Sequence, residues 1–230
     1  MNRFTRIILF LVMVIAAVQM ILPKVVSDAV AQGLREMTGS KQVTAKVDKS
    51  PALLMLGGKF DRVTAEVSDV KTEKITFRTM NINLTDVDVD IKTLLTGRKL
   101  VLEKLGDAAI TATLTQEELA AFLNSSVKGV KNAVVSIHSG KVEVSSSLTL
   151  GGFARVDVKF EGRIAGDREQ QRITFVTDRF LLNNTPVGNI GGSLLTEVPL
   201  VDLKKLPFGV NVREVVMEDG QVIIYTDNRE

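Results

Sequence analysis

The sequence predicts an α+β protein with mostly antiparallel strands, in which a strongly curved β-sheet wraps around a few helices. Apolar and polar residues alternate with period two over most of the chain beyond residue 40, as they do in half-buried antiparallel strands. Helical spacing appears over residues 23–38, and a capping motif at Thr115 starts a second helix. The alternation slips by one residue between Leu84 and Val87, which predicts a bulge and suits a bent strand.

The segment Ile7–Leu22 is an apolar run that only Gln19 interrupts, and Arg3 and Arg6 precede it. Basic residues before an apolar run are typical of an export signal. As a helix the run would span roughly 24 Å, somewhat short for a hydrocarbon core of ~30 Å. Its length therefore leaves a cleaved signal and a retained anchor both open. A buried core helix is a third alternative, although such helices rarely carry a basic flank.

A retained anchor is the favoured alternative. The only A-x-A triplet near the apolar run, at residues 29–31, lies inside a stretch with helical periodicity. We therefore predict a signal-anchor or transmembrane segment over residues 1–23 and one extracytoplasmic domain over residues 24–230. The positive-inside rule then places the N-terminus in the cytoplasm and the domain outside the cytoplasmic membrane, at the cell surface or in the periplasm.

Residues 23–38 are predicted to form an amphipathic helix that packs onto the domain. Pro23 suits a first helical turn, and Gly39 suits a C-terminal stop. The apolar stripe of this helix has spacings of four, four and three residues, and it consists of Val26, Val30, Leu34 and Met37.

The rest of the chain is predicted to be mostly strands. Their apolar positions are Val43, Ala45 and Val47; Val63, Ala65 and Val67; Met80, Ile82 and Leu84; Val87, Val89 and Ile91; Val142 and Val144; and Val156, Val158 and Phe160. Two-residue hairpin turns are predicted at 139–140 and, as type I′, at 219–220. Thr115 and Glu118 fit a capping box, and a further, Gly-rich helix is predicted near Val187–Thr196.

Composition excludes several classes of partner and site. There are 29 Lys and Arg against 27 Asp and Glu, and without Arg3 and Arg6 the balance is 27 to 27. A domain without net charge lacks the positive field that phosphate-backbone binding requires, so no nucleic-acid partner is expected. The chain has no cysteine, which excludes disulfides, thiolate metal sites and lipidation at a lipobox cysteine.

Residues for catalysis are scarce in this sequence. The single histidine, His138, lies beside a predicted turn, and no nucleotide, metalloprotease or nucleophile-elbow motif occurs. Asp86, Asp88 and Asp90 share one face of a strand, where they either face water or bind a divalent cation, but strand neighbours ~6.5 Å apart are too splayed for one ion. We predict a protein that is not an enzyme and has no catalytic residues, metal or cofactor.

A short apolar turn over residues 50–60 is the most informative local motif. Pro51 begins it, and a pair of glycines at 57–58 ends it before a strand. Its four consecutive apolar residues cannot all point inward, so some are expected to face a partner, a ligand groove or the bilayer. A short, fully buried turn is the alternative. The four residues are Leu53, Leu54, Met55 and Leu56.

Three motifs in order carry a family resemblance. They are Pro51-x-Leu53-x-x-Leu56-x-Gly58-x-Phe60-Asp61-x-Val63, then Leu94-Leu-x-Gly97, then Leu114-Thr115-x-x-x-Leu119-x-x-x-Leu123. With the N-terminal apolar segment, they resemble the LmeA-like phospholipid-binding proteins of bacterial envelopes. The resemblance implies a periplasmic or cell-surface protein that binds phospholipid or a lipid-linked glycan precursor, and a tubular lipid-binding-like sheet wrapped around a helix. It brings no catalytic residues.

We therefore predict that acyl chains enter an apolar groove between the sheet and the helices. The candidate lining residues are Leu53, Leu54, Leu56, Phe60, Phe122 and Leu123. The candidate head-group residues at the rim are Lys59, Arg62, Lys99 and Lys104. Two other classes stay open: an envelope scaffold that docks a protein partner, and a hydrolase of envelope polymers that would use the three strand aspartates.

Overall fold

The computed structural model describes residues 3–127, 130–150, 154–183, 185–186, 197–206 and 208–229. It confirms the α+β fold class with antiparallel sheets. The chain divides into two compact units. Unit 1 comprises Met1–Val67 and Asn81–Ala108, and unit 2 comprises Ser68–Met80 and Ala109–Glu230. The prediction that residues 24–230 form one domain stays a prediction.

Unit 1 combines a long helix with part of an antiparallel sheet. Its strands follow the order β1-β2-β3-β4, and β2 and β3 also contribute residues to unit 2. The elements are α1 (Arg3–Thr38), β1 (Gln42–Asp48), a 3₁₀ helix (Ala52–Gly57), β2 (Lys59–Lys71), β3 (Thr76–Val89), α2 (Ile91–Gly97) and β4 (Leu102–Lys104).

Helix α1 is continuous from the apolar run into the amphipathic stretch. The predicted helix start at Pro23 is wrong, because α1 passes through Pro23, but the stop at Gly39 is confirmed and Gly39 has a left-handed φ of 64°. The predicted stripe packs onto the domain through Val26, Val30 and Leu34. Its fourth member, Met37, lies in the last turn of the helix and is 45% exposed.

Three hydrogen bonds align α1 with the chain that returns beside it. The Val43 carbonyl accepts from the Arg35 guanidinium at 3.2 Å, and the Ser27 hydroxyl accepts from the Val47 N–H at 2.9 Å. Further towards the N-terminus of the helix, the Gln19 side chain accepts from the Ala52 N–H at 3.1 Å. Because β1 is an edge strand, the bonds to Val43 and Val47 occupy backbone groups that a neighbouring strand would otherwise pair.

The predicted irregularity in β3 is confirmed at Asp86, which has a left-handed φ of 49°. The Gly106 N–H donates to the carbonyls of both Thr85 and Asp86, at 3.2 and 3.1 Å. Two strand residues thus face one partner residue, which is the arrangement of a β-bulge. Because the bulge adds one residue, Leu84 before it and Val87 after it are both buried.

Unit 2 contains two antiparallel sheets and α3. One sheet has the strand order β2-β3-β5-β13-β12; the other has the order β10-β9-β8-β7-β6, with β11 also paired to β9. The remaining elements are β5 (Ala108–Thr115), α3 (Gln116–Ser126), β6 (Val130–His138), β7 (Lys141–Leu150), β8 (Ala154–Asp167), β9 (Arg172–Leu182), β10 (Thr185–Pro186), β11 (Glu197–Asp202), a 3₁₀ helix (Leu203–Lys205), β12 (Asn211–Glu218) and β13 (Gln221–Asp227).

Local signals in unit 2 are mostly confirmed. The Glu118 carboxylate accepts from the Thr115 N–H at 2.8 Å, as a capping box requires. The hairpins at 139–140 and 219–220 both form. The type I′ assignment is wrong, because that turn needs left-handed φ at both central residues and only Gly220, at 85°, has it. The helix predicted near Val187–Thr196 lies outside the described residues.

Candidate functional site

An apolar cleft lies between α3 and the β6–β9 sheet of unit 2. We call it the α3 cleft. Its empty volume is about 290 Å³, part of it open to solvent. Among its lining residues only Thr177 has a polar side chain. The lining consists of Leu123, Val127, Val130, Val144, Phe160, Phe175, Thr177 and Val198.

Strand register explains why the sheet side of the cleft is apolar. Val144 on β7 lies directly opposite Phe160 on β8, so both side chains lie on one face of the sheet. The Phe160 ring also contacts the Phe180 ring of β9, with the ring centres 5.1 Å apart. Neighbouring strands therefore contribute a continuous apolar surface beneath α3.

The α3 cleft is too narrow to admit a lipid in this conformation. Leu123 is 5% and Phe160 is 4% exposed, and the space at the centre is about what one water molecule needs. A ligand of lipid size requires α3 to move away from the sheet. Asn124 holds the helix in place, because its side-chain oxygen accepts from the Ala133 N–H at 2.9 Å and its amide nitrogen donates to the Ala133 carbonyl at 3.4 Å.

Unit 1 carries a different apolar feature, the 3₁₀ helix Ala52–Gly57, which we call the leucine turn. Leu53, Leu54 and Leu56 are each about half exposed, at 52%, 51% and 52%, whereas Ala52 and Met55 are buried. The expectation that part of this motif faces outward is therefore confirmed. The alternative of a fully buried turn is wrong, because a 3₁₀ helix on the surface can pack only one of its sides against the protein.

Gly58 fixes how the leucine turn joins β2. Its φ is 76°, and its carbonyl accepts from the Val89 N–H at 2.8 Å. A Cβ atom at Gly58 would lie 2.2 Å from the Val89 carbonyl oxygen, so only glycine allows this approach. Phe60, two residues further on, is 2% exposed and belongs to the core of unit 1.

The four candidate head-group residues are all exposed and all belong to unit 1. They are Lys59, Arg62, Lys99 and Lys104. A fifth cation, Lys49, forms a 2.6 Å ion pair with Asp61. The hydrogen bond from Lys49 and another from the Ser50 N–H lower the pKa of Asp61. Four residues beyond the leucine turn, then, the Asp61 carboxylate is neutralised by Lys49, while the four candidate head-group residues face solvent.

The predicted lining residues divide between the two units. Leu123 lines the α3 cleft, and Phe122 beside it is 3% exposed in the core of unit 2. The three leucines of the leucine turn share one surface of unit 1, with Phe60 buried nearby in the chain. A single groove formed by all six residues stays a prediction.

Charged residues on β7, β8 and β9 pair with one another. Glu143 lies between Lys141 and Lys159, with nitrogen–oxygen distances of 2.8 and 2.9 Å. The hydrogen bonds from these two lysines lower the pKa of Glu143 to about 2. Lys141 also lies 3.5 Å from Glu161. The network stabilises the sheet and leaves Glu143 fully ionised at neutral pH.

Two residues considered for catalysis, Asp90 and His138, lie at a helix cap and at a hairpin. Asp90 caps α2, because its carboxylate accepts from the Thr93 N–H at 2.9 Å. His138 is exposed at its hairpin, 3.6 Å from Asp219. Among the residues that the structure describes, no three of His, Cys, Asp and Glu are grouped closely enough to hold a metal ion.

Two kinds of residue were missed in the sequence. Gln19 reads there as an interruption of an apolar run, and nothing local indicates that it pairs with Ala52. The sheet side of the cleft was also missed, although its signal was present: Val144 and Phe160 both occupy inward positions of predicted alternating strands. What the sequence lacks is the pairing of those strands.

Comparison with known proteins agrees with these features. The family model of LmeA-like phospholipid-binding proteins matches residues 17–227 of the 230-residue chain. The match includes the leucine turn and every lining residue of the α3 cleft. No curated protein and no solved structure matches the chain.

Proposed function

The chain belongs to the LmeA-like phospholipid-binding family, and we propose that it binds phospholipid, or a lipid-linked envelope precursor, without catalysing a reaction. The observation that carries this proposal is the α3 cleft, an almost wholly apolar site between a helix and a sheet in a chain of a lipid-binding family. Apolar lining and few polar groups are what acyl chains require.

Burial of acyl chains in such a site supplies the free energy for binding. Each buried methylene contributes ~0.8 kcal/mol, so eight methylenes contribute roughly 6 kcal/mol before entropy losses. Part of this free energy is spent on separating α3 from the sheet. Opening the site breaks the two hydrogen bonds of Asn124 and moves Leu123, while Leu119 and Phe122 of α3 are also buried.

We further propose that α1 is a retained anchor in the cytoplasmic membrane. It is the one helix in the described part of the chain that is long and apolar enough to cross a membrane, and its apolar window is not buried. Val30 and Ala31, within the A-x-A triplet, are buried against the domain, which argues against cleavage there. Arg3 and Arg6 favour a cytoplasmic N-terminus and an extracytoplasmic domain.

A separate, polar hollow lies in unit 2. Its empty volume is about 1080 Å³, part of it open to solvent. Ser145, Asp157 and Lys159 alternate along β7 and β8 with Val144 and Phe160, so most of the hollow lies on the face of the sheet opposite the α3 cleft. We therefore propose the α3 cleft, and not this hollow, as the lipid site.

Photo-crosslinking tests where the ligand lies. The full chain is incubated with a phospholipid that carries a diazirine in its acyl chain, irradiated and digested. We expect crosslinked peptides from α3, β8 and β9. Crosslinks on the apolar part of α1 alone would show that lipid contacts only the anchor. That result would favour the alternative of an envelope scaffold that docks a protein partner.

A further inference from the structure

The hydrogen bond between Gln19 and Ala52 fixes the level of the leucine turn along α1. Gln19 is the only polar residue between Ile7 and Leu22, and it lies inside the apolar run rather than at its end. The first charged residue after the run is Lys24, five residues further on. At 1.5 Å per residue, the leucine turn joins α1 roughly 7.5 Å to the membrane side of Lys24.

Two further hydrogen bonds hold the returning chain against α1 and so fix the level of the leucine turn along the helix. Ser27 bonds Val47, and Arg35 bonds Val43, so the helix and the returning chain are joined at three points. Interfacial apolar segments bury their apolar face ~5–10 Å into the boundary between head groups and acyl chains. The leucine turn lies within that range when α1 spans a bilayer.

Exposed apolar side chains surround the contact between Gln19 and Ala52. Met20 and Ile21 on α1 are 81% and 61% exposed. The three leucines of the leucine turn, each half exposed, extend the apolar surface from α1 onto unit 1. In water this surface would be unfavourable, whereas in a bilayer it continues the surface that the anchor already presents.

The nearby charges suit the surface of an anionic membrane. Lys49 precedes the leucine turn and neutralises Asp61, a carboxylate four residues beyond the end of the turn. Lys59 lies two residues after the end of the turn and is exposed. Basic residues beside an apolar insertion are attracted to anionic head groups and would snorkel towards them.

From this geometry we propose that the leucine turn inserts into the outer leaflet of the membrane that α1 crosses, as a second membrane contact of the chain. The inference rests on the proposed anchor. Its occupant is the phospholipid bilayer itself and not a protein partner. Gln19 is the positioning residue, because it satisfies the Ala52 N–H at the point where the turn enters the apolar region.

Single tryptophans report this directly, because the chain contains no Trp. The full chain is reconstituted into vesicles of phosphatidylethanolamine and phosphatidylglycerol, with and without lipids brominated in the acyl chains. The variants are Leu54→Trp in the leucine turn, Phe10→Trp in the apolar run of α1 and Val134→Trp on β6. Val134 is a matched control, since it is an apolar residue that is 65% exposed in unit 2.

We expect brominated lipids to quench Leu54→Trp and Phe10→Trp strongly, and to leave Val134→Trp unchanged. If Leu54→Trp is quenched no more than Val134→Trp while Phe10→Trp is quenched, the inference is wrong and the anchor stands. If none of the three is quenched, the anchor and the inference are both wrong. Adding Gln19→Leu to Leu54→Trp should lose part of the quenching, and unchanged quenching would contradict the positioning role of Gln19.

Discussion

Asn124 on α3 and Ala133 on β6 form a two-point hydrogen bond, in which the Asn124 side chain both accepts from and donates to the Ala133 backbone, at 2.9 and 3.4 Å. The adjacent residue, Leu123, lines the α3 cleft. The pair therefore joins the helix to the sheet directly beside the site that must open for a lipid to enter.

Replacing Asn124 with Ala should make the cleft open more often. Removal of the two bonds costs about 1 kcal/mol, since the side chain is exposed and water compensates in part. We expect faster amide exchange in α3 and faster lipid uptake. The measurement is hydrogen exchange with mass spectrometry. Ser125→Ala is the control, because the hydrogen bonds of the Ser125 hydroxyl in the described part of the chain go to Phe122 and Ser126, both within α3. Equal exchange in both variants would show that the Asn124–Ala133 bonds do not hold the cleft shut.

Filling the cleft should prevent lipid binding. Val198 on β11 is a lining residue and is 9% exposed, so Val198→Phe adds volume at the edge of the site. Overpacking of this kind typically costs ~1–3 kcal/mol, which a stable domain tolerates. We expect an intact circular dichroism spectrum and loss of phospholipid from the purified protein. Val134→Phe, outside the α3 cleft, should retain its lipid, and full occupancy in Val198→Phe would contradict the assignment of the site.

Two adjacent glycines should respond very differently to alanine. At Gly58 a Cβ atom meets the Val89 carbonyl oxygen at 2.2 Å and the φ is 76°, whereas at Gly57 nothing lies within 4 Å. We expect Gly58→Ala to lower the free energy of unfolding by ~1–3 kcal/mol and Gly57→Ala to change it little. Thermal unfolding of both variants checks this. Equal melting temperatures would mean that the turn does not depend on the Gly58 backbone.

Glu143 should stabilise the protein in a pH-dependent way. Its two lysine partners lower its pKa in the folded state to about 2 from 4.5. A lowered folded-state pKa contributes stability that is present above pH 4.5 and is lost as the pH falls towards 2. After allowance for solvent screening, we expect Glu143→Gln to cost on the order of 1–2 kcal/mol at pH 7.

The difference in melting temperature between Glu143→Gln and the parent protein should therefore shrink as the pH falls from 4.5 to 2. Glu169→Gln is the control, since Glu169 is an exposed residue in the turn between β8 and β9. A difference for Glu143→Gln that is constant from pH 7 to pH 2 would show that the ion pairs do not supply the stabilisation.

Local patterns in the sequence predicted the strands well, because period-two alternation, capping boxes and turn residues act over a few neighbouring positions. The slip between Leu84 and Val87 correctly indicated the bulge at Asp86. Pro23 was misread, since a proline is expected to begin a helix, whereas here the packing of Val26 and Val30 keeps α1 continuous through it.

The candidate site was predicted only in part. Leu123 was identified from the capped helix, but its neighbours Val144, Phe160 and Phe175 come together through the register of three strands that are distant in sequence. A single sequence contains no information about that register beyond the inward alternation of each strand. For the same reason the pairing of Gln19 with Ala52 could not be foreseen.

Native mass spectrometry with lipid extraction, on the full chain purified from a bacterial host in mild detergent, tests the central claim most directly. The account predicts a stoichiometric adduct with the mass of a phospholipid or lipid-linked precursor, present in the parent protein and absent from Val198→Phe. A clean apo mass after incubation with mixed lipids would contradict lipid binding in the α3 cleft and would favour a scaffold that docks a protein partner.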